Sequence, residues 1–151
     1  MNPSAAVSAE VLKAYLAALT AGDLDAIARS FARDATWTLH GTLPLAGTRV
    51  GRDRIMEFLV GAGGLFQPGT QRFTFGEITV QDDRAVLEWR VQGVAEATGL
   101  TYDNSYCGVF VIRNREIVEV REYLDSLHAA DTLYPRPQTT LVEDPARTEQ
   151  T

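Results

Sequence analysis

A lone cysteine, Cys107, stands among 151 residues, so no disulfide can close within the chain and the fold must hold by its core. Clusters of Lys and Arg are missing as well. The 14 basic residues are outnumbered by 20 acidic ones, for a formal charge of −6, which leaves no basic stripe for a phosphate backbone; a nucleic-acid partner is not expected. Long apolar runs are also absent: the longest, around Val109 to Ile112, falls far short of a bilayer span. The opening MNPSAAVSAE lacks the basic and apolar segments of a secretory signal. The expectation is a soluble, cytoplasmic protein with no membrane partner.

Several kinds of chemistry are missing too. His40 and His128 have no metal-ligand spacing, and neither H-E-x-x-H nor C-x-x-C occurs. Gly61-Ala62-Gly63-Gly64 lacks the Lys-Ser/Thr of a phosphate loop, and no G-x-S-x-G elbow is present. Neither a metal nor a cofactor is expected.

What the chain does hold is apolar material in two successive periods. With 45% hydrophobic and 23% charged residues it can build one core. Val11, Leu12, Tyr15, Leu16 and Leu19 form one stripe of a helix over 8–21, with Ser8 placed to cap it. Gly22 stops that helix, Asp23 caps a second, and Leu24, Ile27 and Phe31 carry it to about Ala32. Ala35 to Leu39 reads as a strand, Gly41 to Gly51 as a loop, and Ile55, Phe58 and Leu59 as a short helix ended by Gly61, Gly63 and Gly64. From Gln71 the period becomes two. Strands are predicted around Phe73 and Phe75, over Val86 to Ala95, over Tyr102 to Ile112 and over Ile117 to Leu124, with turns at Asp82-Asp83 and Asn114-Arg115. A short helix follows from Ser126 to Leu133. One domain over 1–134 and a flexible tail over 135–151, with Pro135, Pro137 and Pro145, complete the chain. Helices first and a meander afterwards is an α+β pattern: a cone-shaped, curved antiparallel sheet wrapped by N-terminal helices.

Such a cone has an interior. Leu87, Trp89 and Val91 share one strand face, opposite Glu88, Arg90 and Gln92. Tyr102, Asn104, Tyr106, Gly108, Phe110 and Ile112 share a face of the next strand. With Trp37, Leu39 and Phe58 these inward residues make a wall suited to an apolar ligand held by few hydrogen bonds. Asn104 reads equally as a buried amide satisfied within the core. Asp125 reads either as the cap of the helix from Ser126 or, if it points into the cone, as an acid/base whose pKa is raised by desolvation. Strand phase leaves this open, since Val118, Val120 and Leu124 lie opposite Tyr123 and Asp125. His40 reads as a solvated side chain or a proton shuttle at the mouth.

Tyr15-Leu16-Ala17-Ala18-Leu19, then Ala21-Gly22-Asp23-Leu24, Phe31-Ala32-Arg33-Asp34-Ala35-Thr36 and Gly51-Arg52-Asp53, resemble the opening of ketosteroid isomerases and SnoaL-like polyketide cyclases. Tyr102 through Phe110, and Ile117 through Arg121-Glu122-Tyr123-Leu124-Asp125, resemble limonene epoxide hydrolase. The resemblance covers about residues 8 to 133 and implies the nuclear transport factor 2-like superfamily. It places at Tyr15 the phenol that donates to an oxyanion, but the isomerase base falls at Leu39 and the second acid near Gly108. Of the epoxide hydrolase set, Asp125 matches one carboxylate, while the arginine and second aspartate fall at Trp89 and Val91, or at Arg90 and Gln92 after a shift of one. The family thus implies a cofactor-independent cyclase or isomerase of a small, mostly apolar polyketide- or terpenoid-like substrate, with Asp125 and Tyr15 at the chemistry. An epoxide hydrolase-like enzyme and a non-catalytic binding protein are the alternatives.

The outer sheet face bearing Glu88, Arg90 and Gln92 has nothing of its own chain to cover it, and relatives pair there. A homodimer is therefore expected; sedimentation velocity at micromolar concentration should return twice the chain mass, and a monomer alone would refute it.

Overall fold

The computed structural model describes residues 2–136; most of the expected tail, 137–151, lies outside the described residues. Helix α1 (Pro3–Ala21) starts five residues before the expected point, because Asn2 rather than Ser8 is its cap. The Asn2 side chain accepts from the Ala5 N–H at 2.8 Å, and Pro3 sits where a helix has no use for an N–H. Ser8 lies inside the helix, buried, and its hydroxyl donates to the Asp82 carbonyl at 2.8 Å. The predicted stripe of Val11, Leu12 and Tyr15 is buried. Gly22, at φ 66°, ends the helix in the left-handed region, and Asp23 caps α2 (Leu24–Arg29) through the Ala26 N–H.

Helix α2 stops short of Ala32. Phe31 already begins β1 (Phe31–Leu39), because its backbone finds partners elsewhere: the Ile117 N–H donates to Ser30 O, and the Arg52 guanidinium donates to Phe31 O at 2.6 and 3.0 Å. The segment expected as a loop returns as β2 (Gly47–Val50), paired antiparallel with β1, before α3 (Arg52–Gly63). Then come β3 (Arg72–Gln81), β4 (Arg84–Val94), β5 (Thr101–Arg113), β6 (Glu116–Leu124) and α4 (Ser126–Leu133). Asp82 and the pair Asn114-Arg115 take positive φ in the two tight turns, as the sequence predicts.

The result is one six-stranded sheet in the order β2-β1-β6-β5-β4-β3. Every neighbouring pair is antiparallel except β1 and β6, which run parallel and join the two halves of the chain. Helix α1 packs across β3 to β6, α3 against β1 and β2, and α4 against β5, so the helices cover one face. Alternation holds in β4 and β5: Leu87, Val91, Tyr102 and Phe110 are buried, whereas Glu88, Gln92 and Asp103 are exposed. It fails in β6. A register shift opposite Val111 and Ile112 moves the inward phase, so that Ile117 is followed by Val120 and Glu122 while Tyr123 points out. Among the described residues no helix is long and apolar enough to cross a membrane.

Curvature is built from such irregularities. In β3 the register shifts between Phe75 and Ile78, and Gly76 lies there against the backbone of β4: a Cβ at this position would stand 2.9 Å from the Glu88 carbonyl oxygen. Backbone cannot move aside as a side chain does. Gly76→Ala should therefore lower stability by about 1–3 kcal/mol, read as a shift in the urea midpoint; an unchanged midpoint would mean that β3 and β4 separate freely at the bulge.

Candidate active site

Between the sheet and the helices lies an apolar cavity of about 370 Å³, lined by every element except β2. Tyr15 reaches it from α1, Phe58 from α3, and Trp37 and Leu39 from β1. Trp89 and Val91 enter from β4, Tyr106 and Phe110 from β5. These predicted residues are brought together. Their rings pack against one another: Trp37 is tilted on Phe58 at 5.7 Å and edge-on to Phe110 at 6.4 Å, and Trp89 stacks on Tyr106 at 5.4 Å and 19°.

Three predicted residues lie elsewhere. Asp125 is exposed at the N-cap of α4, where its carboxylate accepts from the His128 N–H at 3.1 Å; the capping alternative is the one its geometry displays, and the expected inward carboxylate is corrected. His40 is exposed and stacked on Tyr123, with centroids 4.5 Å apart, outside the cavity. Asn104 is buried behind the wall and gives both amide hydrogens to protein, one to Tyr102 OH and one to the Asp125 carbonyl, each at 2.9 Å. Its core reading, as a satisfied amide tying β5 to the start of α4, describes it.

The carboxyl that does reach the cavity is Glu122, which the sequence reading did not single out. Its signal was the phase Val120-Glu122-Leu124, two apolar neighbours on the same face. Glu122 is 7% exposed, and its carboxylate accepts from the Trp37 indole N–H at 2.7 Å. Burial pushes its pKa up to about 7, against the pull of the Trp37 N–H and the Arg49 guanidinium. Arg49 itself is held above the Phe58 ring, at 4.3 Å, and bonded to the Leu45 carbonyl. Burial, with the Glu122 charge second, pushes the Tyr15 phenol well above its ordinary range, so Tyr15 keeps its hydrogen and can donate. Among the described residues Glu122 is the one carboxylate lining the cavity and no arginine lines it, so two carboxylates and an arginine around a water are not assembled.

The raised pKa has a sign for folding. Between the ordinary carboxyl value of 4.5 and about 7 the folded protein keeps a proton that the unfolded chain releases, so stability falls as pH rises through that window. The ceiling on this loss is about 3 kcal/mol. Glu122→Gln keeps an acceptor for Trp37 but cannot ionise; calorimetry at pH 5 and pH 8 should show a smaller decline in Tm for the variant than for the wild type. Equal declines would mean that Glu122 titrates normally.

Residues 12–120 match the model of the SnoaL-like domain family. Among solved structures, an NTF2-like protein from Burkholderia xenovorans superposes with a TM-score of 0.74 at 23% identity, covering 88% of this chain and 100% of its own. Bal32a, from a soil-derived mobile gene cassette, gives 0.76 at 27% identity, with 85% and 96% covered. TerC, co-crystallized with polyporic acid, gives 0.73 at 21%, with 84% and 98% covered. No protein of curated function matches the chain in sequence. The cone and its covering helices are thus those of a known scaffold, and the chain belongs to the SnoaL-like domain family.

Proposed function

We propose that this protein is a cofactor-independent isomerase or cyclase that moves a proton on a small, mostly apolar substrate of polyketide or terpenoid type, with Glu122 as its acid/base. The observation that carries this is a single carboxyl set in an apolar cavity wall with a pKa of about 7. A group so placed takes and returns a proton near neutral pH. As Glu122 removes a proton from a carbon next to a carbonyl, the C–H electrons form a carbon–carbon double bond and the carbonyl oxygen becomes an enolate. Tyr15, whose phenol stays protonated, donates to that oxygen; where a β,γ double bond is conjugated with the enolate, the γ-carbon takes the proton back from Glu122, the double bond shifts to the α,β position and the carbonyl re-forms. Where the substrate is flexible, the cavity shape supplies the folded conformation that ring closure needs. TerC, which shares the fold, was co-crystallized with polyporic acid, and that supports an organic ligand here.

The reaction is readable without the natural substrate. In D₂O the wild type should speed deuterium uptake at the α-carbon of cyclic ketones such as 1-tetralone, followed by NMR, with a rate that rises through about pH 7 as Glu122 ionises. Glu122→Gln should lose roughly 10²-fold or more, and Tyr15→Phe should lose less. Exchange that survives Glu122→Gln undiminished would sink the assignment and leave a ligand carrier as the reading of the cavity.

A further inference from the structure

At the α4 end of the cavity, three phenols outnumber the acceptors available to them. Asn104 Nδ2 donates to Tyr102 OH, and Tyr102 OH is in turn bonded to Tyr106 OH. Between them the two tyrosines own two hydroxyl hydrogens, and their mutual bond uses one. Whichever of the two donates, the other hydrogen has no acceptor among the described residues. Tyr134 adds a third. Its hydroxyl is buried without a hydrogen-bond partner. Against the larger upward push of burial, the backbone group of Leu45 beside it lowers its pKa, as an N–H does, so it offers no acceptor for the Tyr134 hydrogen. All three tyrosines line the cavity.

A buried donor left unpaired is unfavourable, so this end is built to receive an oxygen that accepts and does not donate. Charge narrows the class. None of the described residues lining the cavity is cationic, and Glu122 lines the same space, so a carboxylate or phosphate would enter with no counter-charge. Shape narrows it further: Tyr106 lies nearly parallel to Trp89, 5.4 Å from it, and Phe73 to Phe75 at 5.8 Å, which makes flat walls.

We propose that Tyr102, Tyr106 and Tyr134 form an anchoring subsite for the neutral carbonyl oxygen of a flat, conjugated ligand. On β5 and β6 this anchor is offset from Glu122 along the strands: Gly108 pairs with Glu122, and Tyr106 pairs with Leu124, one inward position further on. That step is about 7 Å, so the held oxygen and the carbon facing Glu122 belong to different parts of one ligand. The inference rests on the cavity being a ligand site, as the proposed function does, and not on proton transfer at Glu122.

A matched pair of probes tests it: 2-acetylnaphthalene and 2-ethylnaphthalene, alike in shape, of which only the first carries a carbonyl. Titration by tryptophan fluorescence should show the ketone binding about tenfold more tightly, the worth of one good hydrogen bond. Tyr106→Phe and Tyr134→Phe should each weaken the ketone several-fold and leave the ethyl compound unchanged, which also reports that the variants are folded. The bound carbonyl stretch should fall to lower frequency in the wild type and recover partly in each variant. Equal affinity for the two probes, or variants that weaken both alike, would overturn the anchor. Binding of neither probe would overturn the anchor together with the ligand-site reading. A clear ketone preference with no Glu122-dependent exchange would uphold the anchor and sink only the proposed reaction.

Discussion

The structure depends on the parallel pairing of β1 with β6. Without it β1 and β2 would be a separate hairpin and the sheet would stop at β6. The register sets Trp37 beside Val120 and Leu39 beside Glu122, and the His40 N–H donates to the Glu122 carbonyl at 3.1 Å. That alignment brings an indole N–H within reach of a carboxyl 85 residues later. It also places Ser30 and Phe31 where Ile117 and Arg52 satisfy their carbonyls, which explains why a helix-like sequence turns extended there.

Inside the cone, low polarity acts on every titratable group in the same sense. Burial holds Glu122 near the point of half-ionisation and keeps Tyr15, Tyr102 and Tyr106 protonated. The polar atoms therefore divide into one exchangeable carboxyl and several fixed donors, spread over a wall that is otherwise hydrocarbon. Gly108, near which the resemblance to ketosteroid isomerases would put a second acid, pairs directly with Glu122 on the neighbouring strand. A carboxyl stands in the same part of the cone, carried by β6 instead of β5. The ring edges of Trp89 and Phe110 occupy the space that a side chain at Gly108 would need.

Much of this was legible in the residues, because it is written in local periods. The α1 stripe, the two faces of β4 and β5, the turns at Asp82 and Asn114-Arg115, and the span of α4 all follow from spacing and turn chemistry. What was not legible depends on pairing across the chain. β2 is four residues long and takes its shape from β1. Glu122 follows Arg121 in a charged stretch that reads as solvent-facing, and the bulge near Ile117 breaks the odd-even count by which its direction would be told. Asp125, one residue past the end of β6, carries the more conspicuous position and the humbler task. Asn104 shows the same limit, since sequence fixes its face but not whether its amide is already spent on neighbours.

The bond between Tyr102 and Tyr106 can be written in either direction, since each oxygen can serve as donor or acceptor. Either proton order satisfies that bond, and the two differ in which hydroxyl keeps a hydrogen to give away. An acceptor seated at Tyr106 selects one order: Asn104 gives to Tyr102, Tyr102 to Tyr106, and Tyr106 to the guest, all dipoles aligned. Alignment strengthens each bond in the row through mutual polarisation. The carbonyl of Asp125, on which the Asn104 amide also leans, then ties that row to the start of α4. Occupancy of the cone would thus reach α4, which itself lines the cavity through Ala129 and Leu133, as a reordering of hydrogens.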